Sequence, residues 1–285
     1  MLSTLLVLLV TGVVLLVALV FLGSRRWTTK TRGMRAQLEA VRLPVRPHVV
    51  DFRELDGLPA PVQRFFRVAL TDGRPMVAAV RVRHRGTFNM GETADRWKPF
   101  SSDQQIITQR PGFDWNGRIE MLPGLPVHVH DAYIAGEGIL QASLLGLLPL
   151  ADLHGTEQLA EGELMRFLAE ATWYPTGLLP SQGVRWEPVD NQSARATLTE
   201  GSLVVTLLFT FGDSGLVETV RADTRGRMVD GEILPTPWQG RFWNYRERHG
   251  MQVPTDGEVA WLLPAGAKPY WRGRIAEIAY EFAQP

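Results

Sequence analysis

Glu163, Arg166 and Glu170 stand at i, i+3 and i+7, and Trp173 follows closely. On a helix that spacing gathers them into one narrow stripe, where acid and base can pair. Turned to water, such a stripe is a run of weak exposed ion pairs. Turned into a cleft, it is a candidate for ligand binding, or for proton transfer with Glu163 or Glu170 as acid or base. Apolar residues flank it on both sides: Leu164, Phe167 and Leu168 on one, Met165 and Ala169 on the other. That arrangement favours a cleft over solvent.

Aromatic residues extend the set. The chain has nine Trp, most of them on segments that read as strands or strand ends. They could fill a core, each with a polar handle. They could also line the concave face of a curved sheet, with a few convergent polar groups among them. The candidate ligand-binding residues are therefore Glu163, Arg166, Glu170, Trp173, Trp115, Tyr133 and Trp238.

Other motifs yield less. His128-x-His130 puts two imidazoles on one face of a strand and Asp131 on the other. A zinc site needs further ligands, so partly exposed strand histidines and no metal are expected. Gly212-Asp213-Ser214-Gly215 resembles the serine motif of trypsin-like proteases, but no matching histidine motif exists and a hairpin turn explains it. Gly136-x-Gly138 lacks the third glycine of a dinucleotide loop. No cofactor and no catalytic residue is assigned. Thirty basic and thirty acidic side chains balance among 285 residues, which argues against nucleic acid as a partner. The absence of cysteine excludes disulfides and thiolate chemistry. Nothing in the sequence points to a protein partner.

The stripe needs a helix. Thr156 is a suitable N-cap, and Pro175 disfavours helix at Tyr174. A second helix follows Pro59 and Pro61, with Val62, Phe65, Phe66, Ala69 and Leu70 on its apolar face. Most of the rest has period two or is short and apolar between turns. Val80–Phe88, Trp97–Thr108, Phe113–Met121 and Val127–Ile134 read as strands before the central helix. Val184–Pro188, Ala194–Thr199, Leu203–Phe211, Leu216–Ala222, Trp238–Arg246, Glu258–Leu263 and Tyr270–Phe282 read as strands after it. Leu203–Phe211 is apolar on both parities and is expected to be covered on both faces. Ile139–Leu153, with Leu140, Leu144, Leu145, Leu147, Leu148 and Leu150 among its residues, reads as an interruption: a short buried helix, a lid over a pocket, or a lobe touching lipid. Nine to eleven strands and two helices define an α+β domain over residues 57–285.

Residues 2–22 carry no charge and span about 30 Å as a helix, the thickness of a hydrocarbon core. Nothing basic precedes Leu2, and Arg25 and Arg26 follow Gly23-Ser24 at once. A transmembrane anchor over residues 1–23 is expected rather than a cleaved signal. Residues 24–56 then form a basic juxtamembrane linker with little packing. Arg25, Arg26, Lys30, Arg32 and Arg35 place the domain on the cytoplasmic face of an inner membrane by the positive-inside rule, the outer face being the alternative. Trp27 suits the interfacial belt, and the basic flank suits anionic membrane lipid.

Several segments together carry a family resemblance. They are Leu58-Pro59-Ala60-Pro61-Val62-Gln63-Arg64-Phe65-Phe66-Arg67, Trp97-Lys98-Pro99-Phe100 and Gly162–Glu170 with Trp173 and Pro175. Pro237-Trp238 and Val253-Pro254 with Glu258–Trp261 and Tyr270-Trp271 complete the set. They resemble a bacterial membrane-anchored family, the domain of unknown function numbered 6544, which implies no established activity. The architecture is also similar to lipoprotein-carrier (LolA-like) half-barrels. That likeness implies a strongly curved antiparallel sheet around a central helix, holding acyl chains; those carriers work outside the cytoplasm. The expected molecule is a single-pass membrane protein whose half-barrel binds an apolar or amphipathic, lipid-like ligand. A hydrolase using Glu163 or Glu170, and a ligand-free interaction domain with a filled interior, are the alternatives.

Overall fold

A computed structural model describes residues 2–229 and 231–284. The helices are α1 (Leu2–Ala40), α2 (Ala60–Ala69) and α3 (Glu157–Glu170). The first strands are β1 (Val77–Asn89), β2 (Trp97–Ile107), β3 (Gly112–Leu122), β4 (Leu125–Ile134), β5 (Glu137–Leu144) and β6 (Leu148–His154). After α3 come β7 (Val184–Pro188), β8 (Ser193–Glu200), β9 (Leu203–Phe211), β10 (Val217–Val229), β11 (Glu232–Arg248), β12 (Met251–Leu263) and β13 (Gly266–Phe282).

All thirteen strands join one antiparallel sheet in the order β6-β5-β4-β3-β2-β1-β13-β12-β11-β10-β9-β8-β7. Two meanders meet where β1 pairs with β13, from Val77↔Phe282 to Phe88↔Trp271. The period of two decides the faces. In β1, Val80, Val82 and His84 are buried, while Arg81, Arg83 and Arg85 are exposed. α3 follows the edge strand β6 and leads through short 3-10 turns to the other edge strand, β7.

The sheet must bend sharply, because α3 packs against both β5 and β9. Nine strand steps separate those two in the sheet, which in a flat sheet would be roughly 43 Å. The fold is thus α+β, a curved antiparallel sheet around α3. Thr156 caps α3 by accepting from the Leu159 N–H at 3.3 Å. In α2, Val62, Phe65, Phe66 and Ala69 are fully buried, as its apolar spacing requires.

Four expectations need correction. Residues 24–56 are not a loosely packed linker: α1 runs on to Ala40, and Trp27, Thr31, Met34 and Leu38 are buried against the outer face of the sheet. Trp27 packs within the domain, donating to Asn116 on the outer face of the sheet. Ile139–Leu153 is the β5–β6 hairpin; its leucines suggested helix or lobe because consecutive apolar residues hide the strand period. β9 alternates, with Val204 exposed, so only one of its faces is covered. His130 is fully buried because α1 covers it.

Candidate functional site

Three strands that line the concave side repeat one local pattern: Trp115-Asn116-Gly117, Trp238-Gln239-Gly240 and Trp271-Arg272-Gly273. Residues i and i+2 share a face of a strand. A side chain at Gly117 or Gly273 would collide with the indole of Trp115 or Trp271, so each glycine lets the ring lie along the strand. Gly240 leaves more room, with Trp238 Cη2 3.5 Å from where a Cβ would stand. Trp173, just beyond α3, meets Trp271 at 6.5 Å and Phe242 edge-on at 6.2 Å between ring centroids.

These rings enclose a cavity of about 100 Å³, lined by Trp115, Trp173, Trp238, Trp271 and Phe242 with Arg166 and Glu170. Trp238 donates its indole N–H to Tyr270 Oη at 3.0 Å. The Trp173 indole N–H is buried with no partner. A second opening of about 480 Å³ adjoins it, sharing Phe88, Asp131, Arg225 and Tyr270 with the first. It is bounded by Leu140 and Leu153 of the β5–β6 hairpin and by Met228 and Ile233 of β10 and β11.

Charged groups bridge the two spaces. Arg166 Nη1 donates to Asp131 Oδ2 at 2.5 Å, and its Nε donates to Glu170 Oε1 at 2.7 Å. Glu170 Oε2 accepts from Gln104 Nε2 at 2.6 Å, which leaves both oxygens of that carboxylate engaged. Arg225 Nη2 donates to Glu163 Oε1 at 3.3 Å, and the other Glu163 oxygen is buried without a partner. Burial, reinforced by the Asp131 carboxylate, pushes Glu163 up to about 8. Burial pulls Arg166 down, but Glu170, Asp131 and Glu163 outweigh it and hold the guanidinium above its ordinary value. Arg166 also lies over the Phe113 and Trp115 rings, and Arg225 over Trp238 at 5.1 Å. His84 packs 4.7 Å from Trp173 and is pushed down to about 3 by burial and Arg166, so it stays neutral.

The sequence set is therefore partly gathered. Arg166, Glu170, Trp173, Trp115 and Trp238 line the small cavity, and Glu163 lines the adjoining cleft. Tyr133 does not belong with them. Its ring is fully buried beside the Arg110–Glu200 ion pair, and burial followed by Glu200 pushes it up to about 12. Asp131, Arg225 and His84 were missed. Asp131 was readable as the residue opposite the His128–His130 face. The Trp-x-Gly repeat was readable too, and would have added Trp271. Arg225 meets Glu163 only through the fold.

A second polar cluster lies on the outer face. Asp114 accepts from His130 Nδ1 at 2.6 Å and from Arg35 Nε at 2.9 Å. His130 Nε2 is 3.0 Å from Thr31 Oγ1, and the Trp27 ring stacks on His130 at 4.6 Å. His130 thus meets α1 through Nε2, and its Nδ1 pairs with Asp114 of β3, which in turn holds Arg35 of α1. Among the described residues, no three His, Asp or Glu side chains are grouped to hold a metal. Ala135 and Gly136, both at positive φ, form the two-residue turn between β4 and β5. Gly212–Leu216 is the turn between β9 and β10, closed by the Gly212 N–H on Leu216 O.

Residues 56–280 match the model of a family described as a family of unknown function, DUF6920. The chain belongs to DUF6920. That match replaces the family numbered 6544; the segments that suggested it all fall within the matched span. Curated proteins give no match. Among solved structures, the DUF6920 chain is similar to a LolA superfamily protein, NE2245, from Nitrosomonas europaea. Identity is 11% and the TM-score 0.32, over 78% of this chain and 93% of that one. It is also similar to a beta-barrel-like protein of domain of unknown function DUF1849 from Brucella abortus. There identity is 12% and the TM-score 0.20, over 72% and 99% of the two chains. Likenesses this distant carry no argument about this chain.

Proposed function

We propose that this domain binds an apolar or amphipathic ligand, lipid-like in character, in the hollow between α3 and the concave sheet. The observation that carries the reading is the aromatic cavity with a buried, unpartnered Trp173 N–H, opening beside a cleft where one Glu163 oxygen is also unpartnered. Buried polar groups without partners are uncommon, and a ligand's polar end would satisfy them. The adjoining cleft of about 480 Å³ falls within the roughly 300–1,000 Å³ of small-molecule pockets. Residues 2–22 anchor the protein in a membrane, and the basic residues that follow put the domain on the cytoplasmic side. A C-terminal reporter active on one side only tests that orientation. For the ligand, the full chain is purified in mild detergent and examined by native mass spectrometry. A bound lipid or fatty acid is expected. A ligand-free chain that also ignores added palmitate and phospholipid contradicts the proposal.

Glu163 favours one other reading, a hydrolase with this carboxyl as proton donor. Its raised pKa in a cleft is what a general acid requires. Glu170 is a poor candidate, since Arg166 and Gln104 hold both its oxygens. Hydrolysis of p-nitrophenyl acyl esters that disappears in Glu163→Gln would favour this reading. No turnover by the native chain removes it.

A further inference from the structure

The strand turns fall at two opposite ends of the sheet. Asn89 pairs with Trp97, Leu122 with Leu125, Leu144 with Leu148, Val229 with Glu232 and Leu263 with Gly266. The cross-strand registers put these turns on one rim, with Phe100 opposite Ile119, Val127 opposite Leu144, and Trp238 opposite Trp261. The turns at Ile107–Gly112, Ile134–Glu137 and Arg248–Met251 lie at the other end.

α1 runs along the outer face toward the first rim. Leu38 packs with Ile107 and Ala132 near the far end, and Trp27 binds Asn116 nearer the rim at 2.8 Å. Gly23 then meets the β5–β6 turn: a side chain there would collide with the Leu145 carbonyl and the Leu147 side chain. Gly23 is also where the uncharged stretch of residues 2–22 ends. A leucine-rich turn is therefore fixed at the level where the apolar helix begins. Trp27, Thr31 and Arg35 clamp α1 to the sheet, so the helix does not pivot below that point.

Three hairpins of this rim carry exposed apolar side chains, while its β1–β2 turn carries the charged Glu92, Asp95 and Arg96. Leu122, Leu148 and Leu150 keep 59%, 58% and 56% of their surface exposed, although each is a large aliphatic side chain. Met228, Ile233 and Leu234 are exposed on the β10–β11 hairpin. Scattered exposed leucines need no explanation, but a rim of them level with the end of an apolar helix does. Arg25 and Arg26 lie just past that helix end, where they suit anionic headgroups.

We propose that this rim of hairpin turns docks on the bilayer surface, and that it brings the open cleft between the β5–β6 and β10–β11 hairpins to the membrane. The occupant of the rim is lipid, and the cleft takes its amphiphile from the bilayer rather than from water. The proposal rests on residues 2–22 being a membrane span.

The chain has no cysteine, so single cysteines can be placed freely. Leu122→Cys, Leu148→Cys, Val10→Cys and Glu247→Cys are labelled with an environment-sensitive NBD fluorophore. The full chain is reconstituted in phosphatidylcholine–phosphatidylglycerol vesicles. Glu247 is exposed at the opposite end of the sheet and serves as the aqueous reference. The expected result is quenching by doxyl lipids and protection from iodide at positions 10, 122 and 148, with iodide quenching at 247. If position 10 is in lipid while 122 and 148 behave like 247, the docking is wrong and the anchor stands. If position 10 also behaves like 247, the anchor fails and the docking falls with it.

Discussion

Glu163 Oε1 lies 3.3 Å from Arg225 Nη2, while Glu163 Oε2 is buried with no partner at all. One carboxyl thus has a charged neighbour at one oxygen, and its other oxygen can carry the proton near Asp131. Asp131, Arg166 and Arg225 are the charged groups that face it. The raised pKa gives a definite sign. The unfolded carboxyl ionises near 4.5, whereas the folded one ionises at about 8. Between those values the native state binds the extra proton, so stability falls as pH rises through the window. His84 titrates lower, at about 3 when folded, and contributes nothing between pH 7 and 9. Melting temperature should therefore drop from pH 7 to 9 in the native chain, and drop less in Glu163→Gln. Equal slopes would mean that Glu163 titrates normally.

Arg166 holds two carboxylates at once, Asp131 and Glu170. Arg166→Met leaves both unpaired in a largely buried setting and should cost about 3–5 kcal/mol in urea denaturation. Adding Asp131→Asn and Glu170→Gln should recover most of that loss. If the single variant unfolds at the native midpoint, the cluster is solvated.

Trp173→Phe removes an indole N–H that no protein atom satisfies. Stability should fall only by about 1–2 kcal/mol, from the smaller ring. Palmitate affinity should fall by about five- to tenfold, the value of one hydrogen bond. Trp186→Phe is the control, since its N–H already donates to Leu178 O at 3.0 Å outside the cavity. That variant should lose stability and keep affinity. The same loss of affinity in both would remove Trp173 from the site.

On the outer face, Asp114 is the hinge of the clamp, fully buried and bonded to both His130 and Arg35. Asp114→Ala should free α1, and trypsin should then cut after Arg32 or Arg35 at least about tenfold faster. Unchanged protection would show that apolar contacts at Met34 and Leu38 hold the helix by themselves.

Much of this architecture was legible in the chain. The alternation at Val80–Arg85 and the caps at Thr156 and Pro175 gave strand and helix correctly, because local periodicity and capping depend on near neighbours. The i, i+3, i+7 stripe led to Arg166 and Glu170. Three things were hidden. The β5–β6 hairpin was masked by its leucines, which obscure the strand period. The docking of α1 on the sheet uses Asp114 and His130, which lie 79 and 99 residues beyond their partners. Arg225 was invisible for the same reason, since it meets Glu163 only once the sheet has curled round. Tyr133 was misassigned because facing the concave side does not by itself mean lining the hollow.

The central claim is that an amphiphile occupies the hollow beside Trp115, Trp173, Trp238 and Trp271. Gly240 lines that hollow and a Cβ there would meet only ordinary contacts, so Gly240→Leu directs side-chain volume into the space, with an unchanged far-UV circular dichroism spectrum as the check that the sheet is intact. The direct measurement is tryptophan quenching by brominated palmitate in the full chain, native beside Gly240→Leu. Saturable quenching in the native chain that is lost in the variant is the predicted result. No saturable quenching in the native chain, or equal quenching in both, contradicts the account.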